Sequence, residues 1–141
     1  MEQHKALNLI SLARRGRRVE VGEEPVGAIT RAKKARLVVV ASDASEHTLR
    51  RVQSFVALSE QPYLRIPFNK DELGRAVGRT ACAVAALTDA ALALAFVKAL
   101  DDPEQYAGLI EQLTSKANRI RQRQLESKAH RDNIRHGKKK S

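Results

Sequence analysis

The sequence predicts an α/β protein: a three-layer α/β/α sandwich around a small mixed sheet, with a C-terminal helical extension. Three observations carry this expectation. Short β-branched runs, Leu37-Val38-Val39-Val40 foremost, alternate with segments whose apolar residues recur at helical spacing. Turn or capping residues stand at nearly every change of period. A length of 141 residues with 43% hydrophobic content suits one core rather than two.

In chain order, Lys5 to Arg15 reads as a helix, and Arg18 to Val21 has the composition of a short strand. Gly22 marks a turn, and Glu23 to Lys34 is helical, with two carboxylates complementing the dipole of its first turn. Arg36 to Ala41 reads as a strand buried on both faces. Ser42-Asp43-Ala44-Ser45 offers side-chain oxygens to cap a helix whose Leu49, Val52, Phe55 and Val56 share one face, ending near Ser59. Pro62 to Pro67 is a short strand bounded by prolines. Asn69-Lys70-Asp71-Glu72 has capping-box form and starts a helix through Val77. Cys82 to Leu87 is the last strand. Thr88-Asp89 caps an Ala/Leu-rich helix to about Leu100, and Asp102-Pro103-Glu104-Gln105 starts another, with proline at the first helical position. Strands alternating with helices give the layered sandwich.

Charge indicates the partner. Lys and Arg total 26 against 16 acidic residues, a net of +10, which points to a polyanion and above all to nucleic acid. Much of the excess is terminal: the stretch from Lys116 to Ser141 is rich in Lys and Arg and holds only Glu126 and Asp132 as acids. After Ile120 only Leu125 and Ile134 are large aliphatics, so residues 121–141 are expected to be a basic, mobile tail. The one cysteine, Cys82, excludes an internal disulfide framework. No signal-like stretch follows Met1, and Thr88-Asp89 splits the most apolar region below the length of a membrane span. A reducing, cytoplasmic setting with no membrane partner is expected.

Catalytic constellations are absent. Gly22 to Gly27 has the glycine spacing of a phosphate loop, but Ala28-Ile29 stand where Lys and Ser/Thr are required. Asp43, Ser45 and His47 lie together at a helix start, where capping is the fitting role. His4, His47, His130, His136 and Cys82 lack metal-ligand spacing, so neither metal nor cofactor is expected. Cys82 fits a small core residue. The chain reads as a binding protein, not an enzyme.

Two basic clusters follow helices: Arg14, Arg15, Arg17 and Arg18, then Arg31, Lys33, Lys34 and Arg36. Cations at helix C-termini are ordinary, but four arginines in five positions exceed what the dipole needs and suit phosphate contacts. With no Trp, two Tyr and three Phe, stacking platforms for single strands have little support. Folded RNA read by shape, phosphates and a few base edges fits better. Gly74 and Gly78, four apart on one helical face, permit close approach of another backbone.

Four segments together resemble a known family: Leu12-Ala13-Arg14-Arg15-Gly16 with Gly22-Glu23-Glu24; Leu37 to Ser45; Leu73-Gly74-Arg75-Ala76-Val77-Gly78-Arg79; and Val84-Ala85-Ala86-Leu87-Thr88-Asp89. Over about residues 5 to 100 the chain looks like a bacterial member of the ribosomal protein L7Ae superfamily, whose members bind kink-turn RNA. The resemblance implies the same sandwich fold. It places RNA at the turn and helix start Gly22 to Val26, including Glu23 and Glu24, and at the loop Arg79-Thr80-Ala81-Cys82, with Arg75 on the preceding helix and both loops on one side. Better-known members carry an Asn-Glu pair and a nearby lysine at the first site. Here Glu23, Glu24 and Pro25 follow Gly22; aligned without a gap to Leu37, Ala28 falls at the lysine position, and an offset of one residue pairs Glu23 and Glu24 with the Asn-Glu. An ionised carboxylate accepts the guanine N–H groups but cannot donate to O6.

The expected organisation is an RNA-binding domain over residues 1–101, an amphipathic helix over 102–120 and the tail over 121–141. Ribosomal RNA or another structured RNA is the expected partner. Two rivals stay open: a protein-interaction module using the stripe Tyr106, Leu109, Ile110, Leu113, Ala117 and Ile120, and a substrate-recognition partner of an RNA-modifying enzyme.

Overall fold

A computed structural model describes residues 2–140, with side chains from residue 4 to residue 133. The elements are α1 (Glu2–Arg15), β1 (Val19–Val21), α2 (Glu23–Arg31), β2 (Leu37–Val40), α3 (Glu46–Ala57), β3 (Tyr63–Arg65), α4 (Lys70–Ala76), β4 (Val84–Leu87), α5 (Ala90–Ala99) and α6 (Ala107–Lys140). The four strands form one mixed sheet in the order β1-β4-β2-β3, antiparallel at the first two pairings and parallel between β2 and β3.

Alternation along the central strands sorts the core into two layers. Leu37 and Val39 share a cluster with Ala85 and Leu87, packed under Ala6 and Ile10 of α1, Leu73 of α4, Phe96 of α5 and Leu113 of α6. Val38 and Val40 point the other way, with Val84 and Ala86, against Val26 of α2 and Val52 and Val56 of α3. Both faces of β2 and β4 are therefore covered, which is why these strands read as continuous apolar runs.

Local chemistry places the helix starts. Asn69 and Glu72 form a complete capping box, each side chain taking the other's backbone N–H. Ser45 accepts from the N–H of Thr48 at 3.1 Å, and Asp89 accepts from the N–H of Leu92 at 2.9 Å. Asp43 accepts from the backbone N–H of Lys70 at 2.8 Å, tying the β2–α3 turn to the start of α4. Asp43 and Ser45 thus serve as structural acceptors, and His47 is exposed.

The C-terminal third differs from expectation. Residues 102–106 form a turn, with Asp102 accepting from the N–H groups of Gln105 and Tyr106, and the helix starts at Ala107 rather than at Pro103. Nor does it fray at Ile120: α6 runs without a break to Lys140. Apolar content alone misjudged this segment. Ala, Arg, Gln, Leu, Glu and Lys are strong helix formers, and no Pro or Gly interrupts them from Leu109 to His136, so an anchored helix propagates. Ile120 instead marks where packing stops, since residues 121–131 are all exposed. The apolar stripe ahead of it is spent on the domain: Tyr106 and Leu113 are buried, and Leu109 and Ile110 pack on the core.

Candidate nucleic-acid interface

Gly22 links β1 to α2 with φ 98° and ψ 161°, a backbone geometry that disfavours a side chain. As N-cap it offers the first N–H groups of α2 no side-chain acceptor. Its own N–H donates to the carbonyl of Val84 at 3.0 Å, so the β1–α2 turn and the entrance of β4 share one end of the sheet. Glu24 is exposed there and Glu23 half-buried.

The second loop is held by the glycines. The Arg79 N–H donates to the Gly74 carbonyl at 2.7 Å, and the Cys82 N–H to the Lys70 carbonyl at 2.9 Å. A Cβ at Gly74 would lie 2.7 Å from the Ala81 Cα and 2.9 Å from the Arg79 carbonyl oxygen. Gly74 is therefore the seat on which the loop folds back. Gly78, at φ 73°, has the Arg14 guanidinium where a Cβ would project. Arg79, Thr80 and Ala81 are exposed on this support. Cys82 beneath them is buried, its thiol donating to the Val84 carbonyl at 3.2 Å; burial pushes its pKa up.

The arginine cluster divides. Arg14 lies against the Gly78 turn, whereas Arg18 pairs with Asp89, whose element begins where β4 ends. Arg15 and Arg18 line a groove with Leu12 and Leu92 on that side. Arg17 takes the left-handed conformation at φ 58° and closes α1. Arg75 faces a groove between α1 and α4 beside His4 and Asn8.

Residues the sequence reading passed over complete the surface. Arg51 of α3 sits 3.9 Å from a Glu23 carboxylate oxygen and 5.6 Å above the Phe55 ring. With Glu24, Pro25, Ala28 and Arg31 they line a shallow depression beside the α2 start. The spacing of Arg51 and Phe55, four apart on α3, was the available signal; their proximity to Glu23 was not.

Among the described residues no group of His, Cys, Asp and Glu could hold a metal ion, and no helix is long and apolar enough to cross a membrane.

A four-stranded mixed sheet between helical layers, with a glycine-capped helix and a glycine-seated loop, defines a class of small α/β/α domain. The chain belongs to the ribosomal protein L7Ae/L30e/S12e/Gadd45 family, whose pattern it matches over residues 4–93. It is 35% identical to the RNA-binding protein YlxQ of Bacillus subtilis over 97 residues, 66% of this chain and 92% of that one. Its identity to the YlxQ of Enterococcus faecium is 38% over 77 residues, 55% of this chain and 74% of the relative. Among solved structures, a Bacillus halodurans protein of unknown function superimposes with a TM-score of 0.64 at 30% identity, covering 70% of this chain and 98% of that one. The Giardia lamblia 15.5kD RNA binding protein superimposes with a TM-score of 0.60 at 23% identity over 80% of this chain and 91% of its own, a likeness of fold. The family match ends before α6, so the whole of the C-terminal helix lies outside it.

Proposed function

We propose that this protein binds structured RNA containing a kinked internal loop, through the Gly22–Val26 turn and the Arg79–Ala81 loop, without catalysing a reaction on it. Its setting in this reading is cytoplasmic and its partner ribosomal or ribosome-associated RNA. Family membership and the name of its YlxQ relatives support RNA as the ligand. The observation that carries the site is the Gly22 N–H bond to Val84, which brings the first turn of α2 beside the strand that the second loop feeds.

The chemistry of each part differs. Glu23 and Glu24 accept hydrogen bonds, so they suit the N–H groups of an unpaired or sheared guanine and repel phosphate. Arg14, Arg75 and Arg79 supply phosphate contacts around that base-reading centre, whereas Arg18, paired with Asp89 where β4 ends, and its neighbours Arg15 and Arg17 suit phosphates of a flanking helix. The α6 stripe is already packed on the domain, which disfavours its use as a docking face for a protein partner.

The test compares affinity for an RNA with a kinked internal loop and for a plain duplex of equal length at physiological salt. The kinked RNA should bind at least about tenfold tighter, the worth of roughly 1.4 kcal/mol of base and shape readout. Equal affinities would reduce the protein to a non-specific binder.

A further inference from the structure

A second surface lies at the other end of the sheet. Gly22 sits where β4 begins, whereas Ala35 and Arg36 precede β2 and Pro62 precedes β3, at the opposite ends of the strands. There the α2–β2 turn, the α3–β3 turn and α6 enclose a cleft lined by Lys33, Arg36, Gln61, Lys116 and Arg119, with Glu60 as its one acid. None of those four cations has an ion-pair partner among the described residues. The Lys116 ammonium is held below its ordinary pKa by partial burial, then by the charges of Arg36, Arg119 and Arg123. Gln61 stiffens the wall: its Nε2 donates to the Thr30 carbonyl at 2.9 Å, and its buried Oε1 has no partner.

Converging unpaired cations repel one another, an arrangement that an anion relieves. Their layout points to a polymer rather than a lone phosphate. Lys116, Arg119 and Arg123 recur at i, i+3 and i+7, one face of a helix, and form a row roughly 10 Å long at 1.5 Å per residue. Lys33 and Arg36 face the start of that row from the other wall.

We infer that this cleft is a second RNA site, which grips the sugar–phosphate backbone of a duplex arm running from the kinked element toward the far pole. The inference rests on the RNA-binding reading above. It gives α6, which lies wholly outside the family match, a role that the Gly22 loops do not need: fixing the direction of an arm, with no base preference of its own.

The full chain is compared with Arg36→Gln/Lys116→Gln/Arg119→Gln on two kinked-loop RNAs, one with a flanking arm too short to reach the cleft and one with an arm that spans the domain. On the long-armed RNA the variant should lose at least about tenfold in affinity, and its log–log salt slope should fall by roughly 2–3, at about 0.7–0.9 for each of three lost phosphate contacts. On the short-armed RNA it should change less than about twofold, which also shows that the variant folds. Glu60→Gln should act the other way and tighten the long-armed complex alone. No loss on the long arm, or equal losses on both, would overturn the second site. Wild-type protein that binds polyglutamate as tightly as the long-armed RNA, with both lost in the triple variant, would assign the cleft to acidic proteins instead. Failure of the short-armed RNA to outcompete plain duplex would strike the kinked-loop reading, while the slope on the long arm would still decide this one.

Discussion

Gly74→Ala separates packing from propensity more sharply than any other single change. In the middle of α4, alanine should favour the helix by about 1 kcal/mol over glycine. The added Cβ, however, would meet the Ala81 Cα at 2.7 Å, the Ala81 nitrogen at 2.8 Å and the Arg79 oxygen at 2.9 Å, all backbone atoms of a loop hydrogen-bonded to Gly74 itself. Overpacking of that kind costs about 1–3 kcal/mol, so the helix gain is cancelled and a net loss near 1 kcal/mol is expected. For a domain of this size that lowers Tm by roughly 3–6 °C. Relief of the clash displaces Arg79 to Ala81, so affinity for the kinked-loop RNA should fall as well. Thermal unfolding with a parallel binding titration reads both effects. A rise in Tm with unchanged binding would refute the close approach and return Gly74 to an accident of sequence.

Other outcomes follow from single positions. Glu60 closes α3 at φ 57°, so Glu60→Gly should raise stability by up to about 1 kcal/mol in denaturant melts, whereas Glu60→Ala, which keeps the Cβ, should give no such gain. Burial raises the Cys82 pKa, so the native thiol should react with a maleimide at pH 8 only as fast as the protein opens. Because the folded pKa is the higher one, this group's contribution is complete below the ordinary thiol range and is lost as pH climbs through it and beyond, so stability should decline on the alkaline side; fast stoichiometric labelling of the folded protein would contradict both statements. Truncation after Ile120 should leave Tm nearly unchanged, because residues 121–131 are exposed, while weakening RNA binding most at low salt.

Period and capping chemistry made most of the fold legible. The Leu37–Val40 run, the Asn69–Glu72 box and the Asp89 cap each specify their element locally, and even β1 could be read from Val19-Glu20-Val21. What escaped was non-local or cumulative. The length of α6 depends on propagation from a packed anchor at Tyr106 and Leu113, which a count of aliphatics in residues 121–141 does not register. The basic cleft joins Arg36 to Lys116 across eighty positions, so the two clusters read as unrelated runs of charge. Conversely, four adjacent arginines looked like one patch, and the turn through Arg17 sends Arg14 and Arg18 to different partners. Gly74 was legible as a close approach, but the approaching backbone was not.

Amide chemical-shift mapping tests the location of the bound RNA directly. When a short-armed kinked-loop RNA is titrated into labelled protein, the largest perturbations should fall on Gly22, Glu23, Glu24 and Val26 together with Arg79, Thr80 and Ala81, and Glu24→Asn should change the preference for the kinked loop over duplex, since an amide donor is restored toward guanine O6. Perturbations confined to α6 and the Arg36 turn, with the Gly22 and Arg79 loops silent, would contradict it.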